Sequence, residues 1–288
     1  MIPVDFHYHA PASLDEALDL LAKAGDEGQV LAGGQSLIPV LKLRMAAPET
    51  LVDLGRVPEL TGVTDDGDAI TIGAMTSHDV IAHDPLVREH AGLIAEATAT
   101  VADPQVRHRG TFGGALVHAD PAGDLGAPAL AMDAEMEIAG TGGVRRVPAT
   151  EFFTDLFSTA VGENEILTRV RVPKYTGWRA AYEKFVRVAQ QWSIVAVGVT
   201  LRVDNGTIEQ ARVGLTNMGS TPLRARQVED ALAGCRVDAS AVSAAVASVA
   251  EGTDPPADLN GDAEYRRHLA CVLAERAVLS AGAERVAR

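Results

Sequence analysis

Two glycine turns, Ala32-Gly33-Gly34-Gln35-Ser36 and Thr111-Phe112-Gly113-Gly114, set about 75 residues apart, constrain this chain more than anything else in it. The first follows the apolar run Gln29-Val30-Leu31-Ala32 and precedes helical spacing from Leu37 to Met45, where Pro39 is tolerated only near the first turn. Glycine removes the Cβ that blocks close backbone approach and lets successive N–H groups converge on an anion. Gln35 and Ser36 add side-chain donors. The spacing is not the Rossmann G-x-G-x-x-G fingerprint, and a bare Gly-Gly turn reads equally as a phosphate site or a structural tight turn. The second turn lies in Arg107-His108-Arg109-Gly110-Thr111-Phe112-Gly113-Gly114, between a predicted helix and a predicted apolar strand, and offers a second set of amides. Together the turns either clamp the two ends of a pyrophosphate or are two unrelated bends.

The surrounding pattern predicts a β-α-β-loop-α-β unit over the first 55 residues. A strand at 3–9 precedes Ser13-Leu14-Asp15-Glu16, a capping box that opens a helix with Leu14, Ala17, Leu18 and Leu21 on one face. Leu51-Val52-Asp53-Leu54 is a further strand. From 56 to about 175, strands such as Ala69-Ile70-Thr71-Ile72 alternate with alanine-rich helices around Leu93–Val101 and Ala127–Met132. Thr141-Gly142-Gly143 marks a hairpin, and Glu165–Pro173 alternates as a strand. Pro173-Lys174-Tyr175-Thr176-Gly177 reads as a linker, which divides the chain into 1–176, with subdomains of about 1–55 and 56–176, and 177–288. In the second part Val195–Val203 and Gly206–Leu215 flank an Asn205-Gly206 hairpin turn, and helices follow at about 225–234, 239–250 and 262–282. The expected class is α+β.

A net charge of −14 argues against a nucleic-acid surface, so an anionic ligand must be held locally by backbone amides. Cys235 and Cys271 are too few for an iron–sulfur cluster and read as buried thiols in C-terminal helices. The start Met-Ile-Pro-Val-Asp-Phe carries no secretory pattern and no apolar run reaches membrane-span length, so a cytoplasmic protein without a transmembrane segment is expected. No H-E-x-x-H pattern occurs, His7 and His9 lie on one face of a short strand, and no metal is assigned. Asp120-Pro121-Ala122-Gly123-Asp124 reads either as a carboxylate pair for a ribose hydroxyl or as a solvated turn.

Four segments in order carry a family resemblance: Ala32-Gly33-Gly34-Gln35-Ser36-Leu37-Ile38-Pro39, Pro104 to Gly114, Asp120 to Asp124, and Ala181-Tyr182-Glu183-Lys184-Phe185. Over nearly its whole length the chain resembles the FAD-binding medium subunit of the xanthine dehydrogenase and aerobic carbon monoxide dehydrogenase family of molybdenum hydroxylases. Met45-Ala46-Ala47-Pro48-Glu49 and Asp258 to Leu269 are most similar to the carbon monoxide dehydrogenase branch. The resemblance implies a vanillyl-alcohol-oxidase-like FAD fold of two α+β subdomains, with the cofactor held noncovalently between them and the C-terminal domain.

Carried onto matching positions, Ala32, Gly33, Gly34, Gln35 and Ser36, with Leu37 following, and Gly110, Thr111, Phe112, Gly113 and Gly114 would embrace FAD. Val101 would lie by the adenine, Val106 would also contact the cofactor, Asp124 would lie by the ribityl or ribose hydroxyls, and Leu167 and Lys184 near the isoalloxazine. Trp192, after Gln191, would belong to a loop close to one flavin face, although a tryptophan just after a strand is more often core. The family often has His at position 35 and Asn at 115, where this chain has Gln35 and Ala115. Glutamine keeps a donor and alanine does not. The implied activity is electron transfer from an iron–sulfur small subunit, in a complex with a molybdenum-cofactor large subunit, to an external acceptor, with no catalytic residue on this chain. Two other readings stand beside it: a self-sufficient FAD oxidoreductase using Tyr182, Glu183 or Lys184 as acid or base, and a docking subunit whose loops no longer hold cofactor.

Overall fold

The computed structural model describes residues 2–283, in which three larger sheets and a two-stranded ribbon, Phe153–Asp155 with Ser158–Thr159, have helices packed on them. The first is parallel, with His7–His9 and Gly28–Leu31 flanking the central strand Thr50–Asp53. Its covering helix, Leu14–Ala24, buries Ala17, Leu18 and Leu21, the i, i+1, i+4 stripe seen in the sequence. Ser13 caps it by accepting from Glu16 N. The returning leg of the capping box is displaced by one residue, because Glu16 Oε2 accepts from Ala12 N at 2.9 Å.

The second sheet is antiparallel, ordered Val63–Asp65, Ala69–Gly73, Glu165–Pro173, Glu135–Gly140 and Gly143–Pro148. It carries the largest core, in which Ile70, Ile72, Phe112, Phe152 and Val170 are sealed from water. Where the pairing with Glu135–Gly140 shifts register between Leu167 and Arg169, Thr168 O accepts from Ala74 N on the other side, tying the central strand to the segment beneath the second glycine turn.

The third sheet, also antiparallel, runs Arg179–Phe185, Val195–Asp204, Thr207–Thr216, Leu223–Arg224. Asn205 and Gly206 both take positive φ, +47° and +76°, as their tight hairpin turn requires. Helices Arg226–Leu232 and Ala239–Val246 pack with Ala263–Gly282, whose Leu269, Leu273, Ala277 and Ala281 recur every four residues along its buried face. The α+β class is that expected from the sequence.

Several local expectations need correction. The strand expected at 3–9 pairs only over His7–His9. The helix expected to reach Met45 stops at Lys42, since Arg44 adopts φ +56° and turns the chain. Thr111–Gly114 does not run into a strand: Thr111 caps the helix Phe112–His118, so Gly113 and Gly114 form its first turn. Cys235 lies in a turn after the helix Arg226–Leu232, and both thiols are half-buried. No helix among the described residues is long and apolar enough to cross a membrane.

Candidate functional site

The two glycine turns are in contact. A Cβ on Gly33 would lie 2.2 Å from Arg109 O and 2.7 Å from Gly110 Cα, and one on Gly114 would lie 3.2 Å from Ala32 Cβ. Only backbone without side chains approaches this closely. Gly34 adds a positive φ of +73°, which orients the following amides. Among the described residues the N–H groups of Gly33, Gly34, Gln35 and Ser36 have no acceptor. Four consecutive free donors ahead of the helix Leu37–Lys42 make a nest for an anion. Gln35 folds back, its Nε2 donating to Gly33 O at 3.1 Å, so it stiffens the turn.

The second turn works differently from the sequence expectation of another open amide set. Phe112 N donates to Thr76 O, Gly113 N to Ala74 O at 2.8 Å, and Gly114 N to the Thr111 hydroxyl oxygen. Its glycines serve close packing: a Cβ on Gly113 would lie 2.4 Å from Ala74 Cβ. Among the described residues the Thr111 N–H stays without an acceptor, and the Thr111 hydroxyl proton remains available. Below Gly110 lies His78, whose buried Nδ1 has no partner. Burial, with the nearby Arg107 charge, pushes the His78 imidazole down to about 4 and keeps it neutral. Val101 and Val106 are half-buried beside these turns, and Arg107 donates to Val101 O at 2.9 Å.

Asp124 is joined to the third sheet. Tyr182 OH donates to its Oδ1 at 2.9 Å, Ser193 Oγ to the same oxygen at 2.7 Å, and Lys184 Nζ to Oδ2 at 2.7 Å. Lys184 also reaches Thr100 O. Burial pushes the Asp124 carboxyl above the usual range, against the pull of Lys184, Ser193 and Tyr182. Burial, then the Asp124 charge, drives the Tyr182 phenol well above its ordinary value, so Tyr182 is no base at neutral pH. Lys184 spends its charge on a carboxylate, which leaves neither group as the free acid or base that the self-sufficient reading needs.

Leu167 is buried in the core of the second sheet with Phe112 and Tyr182. Leu37 is half-buried at the start of its helix. Trp192 is not core: it is 51% exposed, with its ring 6.3 Å from His118, which in turn lies 5.4 Å from Phe157. A cavity of about 260 Å³ opens beside it, lined by Asp120, Trp192, Ser193, Asn217, Asn260 and Arg266 among others. A depression of the same volume at the hairpin Gly140–Gly143 lies away from the glycine turns and collects no converging groups beyond the Arg145–Glu165 pair. Sequence reasoning missed Ser193, Asn217 and Arg266, because a serine, an asparagine and a helical arginine carry no local signal of partners so distant in the chain.

A nest of free amides on a turn that another glycine turn buttresses, in a chain that also builds a buried charged network, is the build of a dinucleotide-binding flavoprotein. Residues 4–175 match the family model described as the FAD binding domain in molybdopterin dehydrogenase, and 180–281 match that of the CO dehydrogenase flavoprotein C-terminal domain. The chain belongs to the family of FAD-binding medium subunits of molybdenum hydroxylases, and is an FAD-dependent oxidoreductase subunit. It is 40% identical to the carbon monoxide dehydrogenase medium chain of Hydrogenophaga pseudoflava over 98% of this chain and 99% of that one. It is 35% identical to the glyceraldehyde dehydrogenase medium chain of Sulfolobus acidocaldarius, covering 96% and 98%. A solved structure of reconstituted carbon monoxide dehydrogenase from Oligotropha carboxidovorans superposes with a TM-score of 0.94 at 38% identity, covering 98% of this chain and 99% of that one.

Proposed function

We propose that the chain is the electron-transfer subunit of a cytoplasmic complex, with domains 1–176 and 177–288 closing on one FAD. It takes electrons from an iron–sulfur small subunit, itself served by a molybdenum-cofactor large subunit, and delivers them to an external acceptor. Carbon monoxide is the substrate of the assembly that the full-length similarity to carbon monoxide dehydrogenase medium chains favours. When bound, the flavin supplies the redox chemistry, accepting and releasing electrons singly or in pairs.

The observation that carries this reading is the run of free amides at Gly33 to Ser36, held against Arg109 and Gly110. These amides and the Thr111 N–H and hydroxyl would take the pyrophosphate. Val101 would flank the adenine, Val106 would also contact the cofactor, Asp124 would meet a ribityl or ribose hydroxyl, and Leu37, Leu167, Lys184 and Trp192 would surround the isoalloxazine. The chain's own work is binding, orientation and control of local charge.

The test is spectroscopic. The purified chain is expected to form a stable yellow complex with FAD, bleached by carbon monoxide only when molybdenum and iron–sulfur subunits are present. No flavin uptake would sink the reading, and bleaching by a substrate of the isolated chain would replace it with the self-sufficient one.

A further inference from the structure

Residues 186–192 leave the third sheet after Phe185 and return at Ser193. Both ends are firmly tied. Ser193 N donates to Ala122 O, Ser193 Oγ to Asp124, and Asn217 Nδ2 to Ser193 O at 2.8 Å and Ile194 O at 3.1 Å. The segment between is not: Arg187, Val188, Ala189 and Gln190 are exposed, and Gln190 holds φ +69°. Among the described residues, one hydrogen bond joins 186–192 to the rest of the molecule, from Gln191 Nε2 to Asn260 Oδ1 at 3.0 Å. The other end of the same side chain closes the loop on itself, Arg187 N donating to Gln191 Oε1 at 2.9 Å.

Asn260 is itself fixed by a buried cation. Arg266, fully buried in the helix Ala263–Gly282, donates to Ile194 O, to Gly261 O and, at 2.7 Å, to Asp258 Oδ1. Asp258 in turn accepts from Asn260 N at 2.7 Å and from Asn260 Nδ2. A buried guanidinium must have its donors satisfied, so the turn at 258–261 is held in one arrangement. That turn presents Asn260 Oδ1 to Gln191, and the next residue is Trp192, at the cavity shared with Asp120, Asn217, Asn260 and Arg266.

We infer that Asn260 and Gln191 are positioning residues: through their hydrogen bond, with Arg266 and Asp258 as its foundation, they hold Trp192 across the mouth of this cavity. A loop tied at two ends samples many conformations unless something between them is fixed, and here one hydrogen bond does that alongside the contact of the Trp192 ring with His118. The inference deepens the proposed function, resting on the placement of the flavin beside Trp192 for its consequence but not for the clamp itself.

The experiment uses the full chain with Trp178→Phe, so that Trp192 is the sole tryptophan of the two present. Acrylamide quenching and emission anisotropy are read first without flavin. Asn260→Ala and Gln191→Leu are expected to raise the quenching constant about twofold and lower the anisotropy. Leu259→Ser, at the neighbouring and 97% exposed position, is expected to change neither. Unchanged quenching in folded Asn260→Ala and Gln191→Leu chains overturns the clamp. The FAD dissociation rate is read second and is expected to rise about three- to tenfold in Asn260→Ala, the range set by one net hydrogen bond. A loosened loop with an unchanged dissociation rate upholds the clamp and sinks the placement of flavin beside Trp192.

Discussion

Lys184→Met removes the ammonium that meets Asp124 Oδ2 at 2.7 Å, where the two side chains are only 9% and 4% exposed. Deleting one member of a buried ion pair costs about 3–5 kcal/mol, because the remaining charge has lost its counter-charge in a poorly solvating site. Tyr182 and Ser193 still donate to Oδ1, which places the loss near about 3 kcal/mol at alkaline pH. The pH dependence has a definite sign. The Asp124 carboxyl already lies above its ordinary range through burial, and losing Lys184 raises it further. A carboxyl whose pKa is higher folded than unfolded binds its proton more tightly in the folded chain. Its contribution is therefore intact below the unfolded value and is lost as pH rises through the folded one. The variant's deficit is therefore smallest at acid pH and largest at alkaline pH. Urea unfolding of the flavin-free chain, followed by tryptophan emission at an acid and an alkaline pH, measures it. Adding Asp124→Asn should recover most of the loss, since an amide oxygen still accepts from Tyr182 and Ser193 without carrying charge. A Lys184→Met chain within about 1 kcal/mol of the parent at the higher pH, or a deficit larger at the lower pH, would refute the buried-pair argument.

Gly33→Ala drives a Cβ into the Arg109 carbonyl oxygen, which cannot rotate away, so FAD retention should vanish with a stability loss of about 1–3 kcal/mol; normal flavin content in the purified variant would contradict this. Gly113→Val should impair folding itself, because Ala74 backbone and Cβ occupy the space, and a thermal midpoint equal to the parent's would show that the helix can shift to admit it. His78, held neutral down to about 4, contributes stability that is present above its unfolded value of 6.5 and drains away as pH falls toward 4, about 3 kcal/mol in all. His78→Leu should flatten the acid limb of the stability profile over that window, and an unchanged limb would assign the acid sensitivity elsewhere.

Much of the fold was legible because the features that encode it are local. Asn205-Gly206 specifies its turn through the positive φ values both residues tolerate, Glu165–Pro173 shows its strand by alternation, and Ser13 marks a helix start by its hydroxyl. The glycine turns announced a backbone that must come close to something. What they come close to was decided by tertiary structure. Gly33 meets Gly110 only because the first unit packs on the second sheet, with Ala17, Leu18 and Val52 sharing a core with Ala139 and Ile166, and the first turn's amides stay free while the second turn spends most of its own on Thr76, Ala74 and Thr111. Likewise, Asp124 could be singled out as a carboxylate near a ribose, yet its partners Tyr182, Lys184 and Ser193 stand 58, 60 and 69 residues away. Periodicity and propensity fix dihedral angles and which face of an element is apolar. Which faces meet, and hence which charges lose their water and must be paired, depends on contacts between elements far apart in the chain, and no local pattern records them.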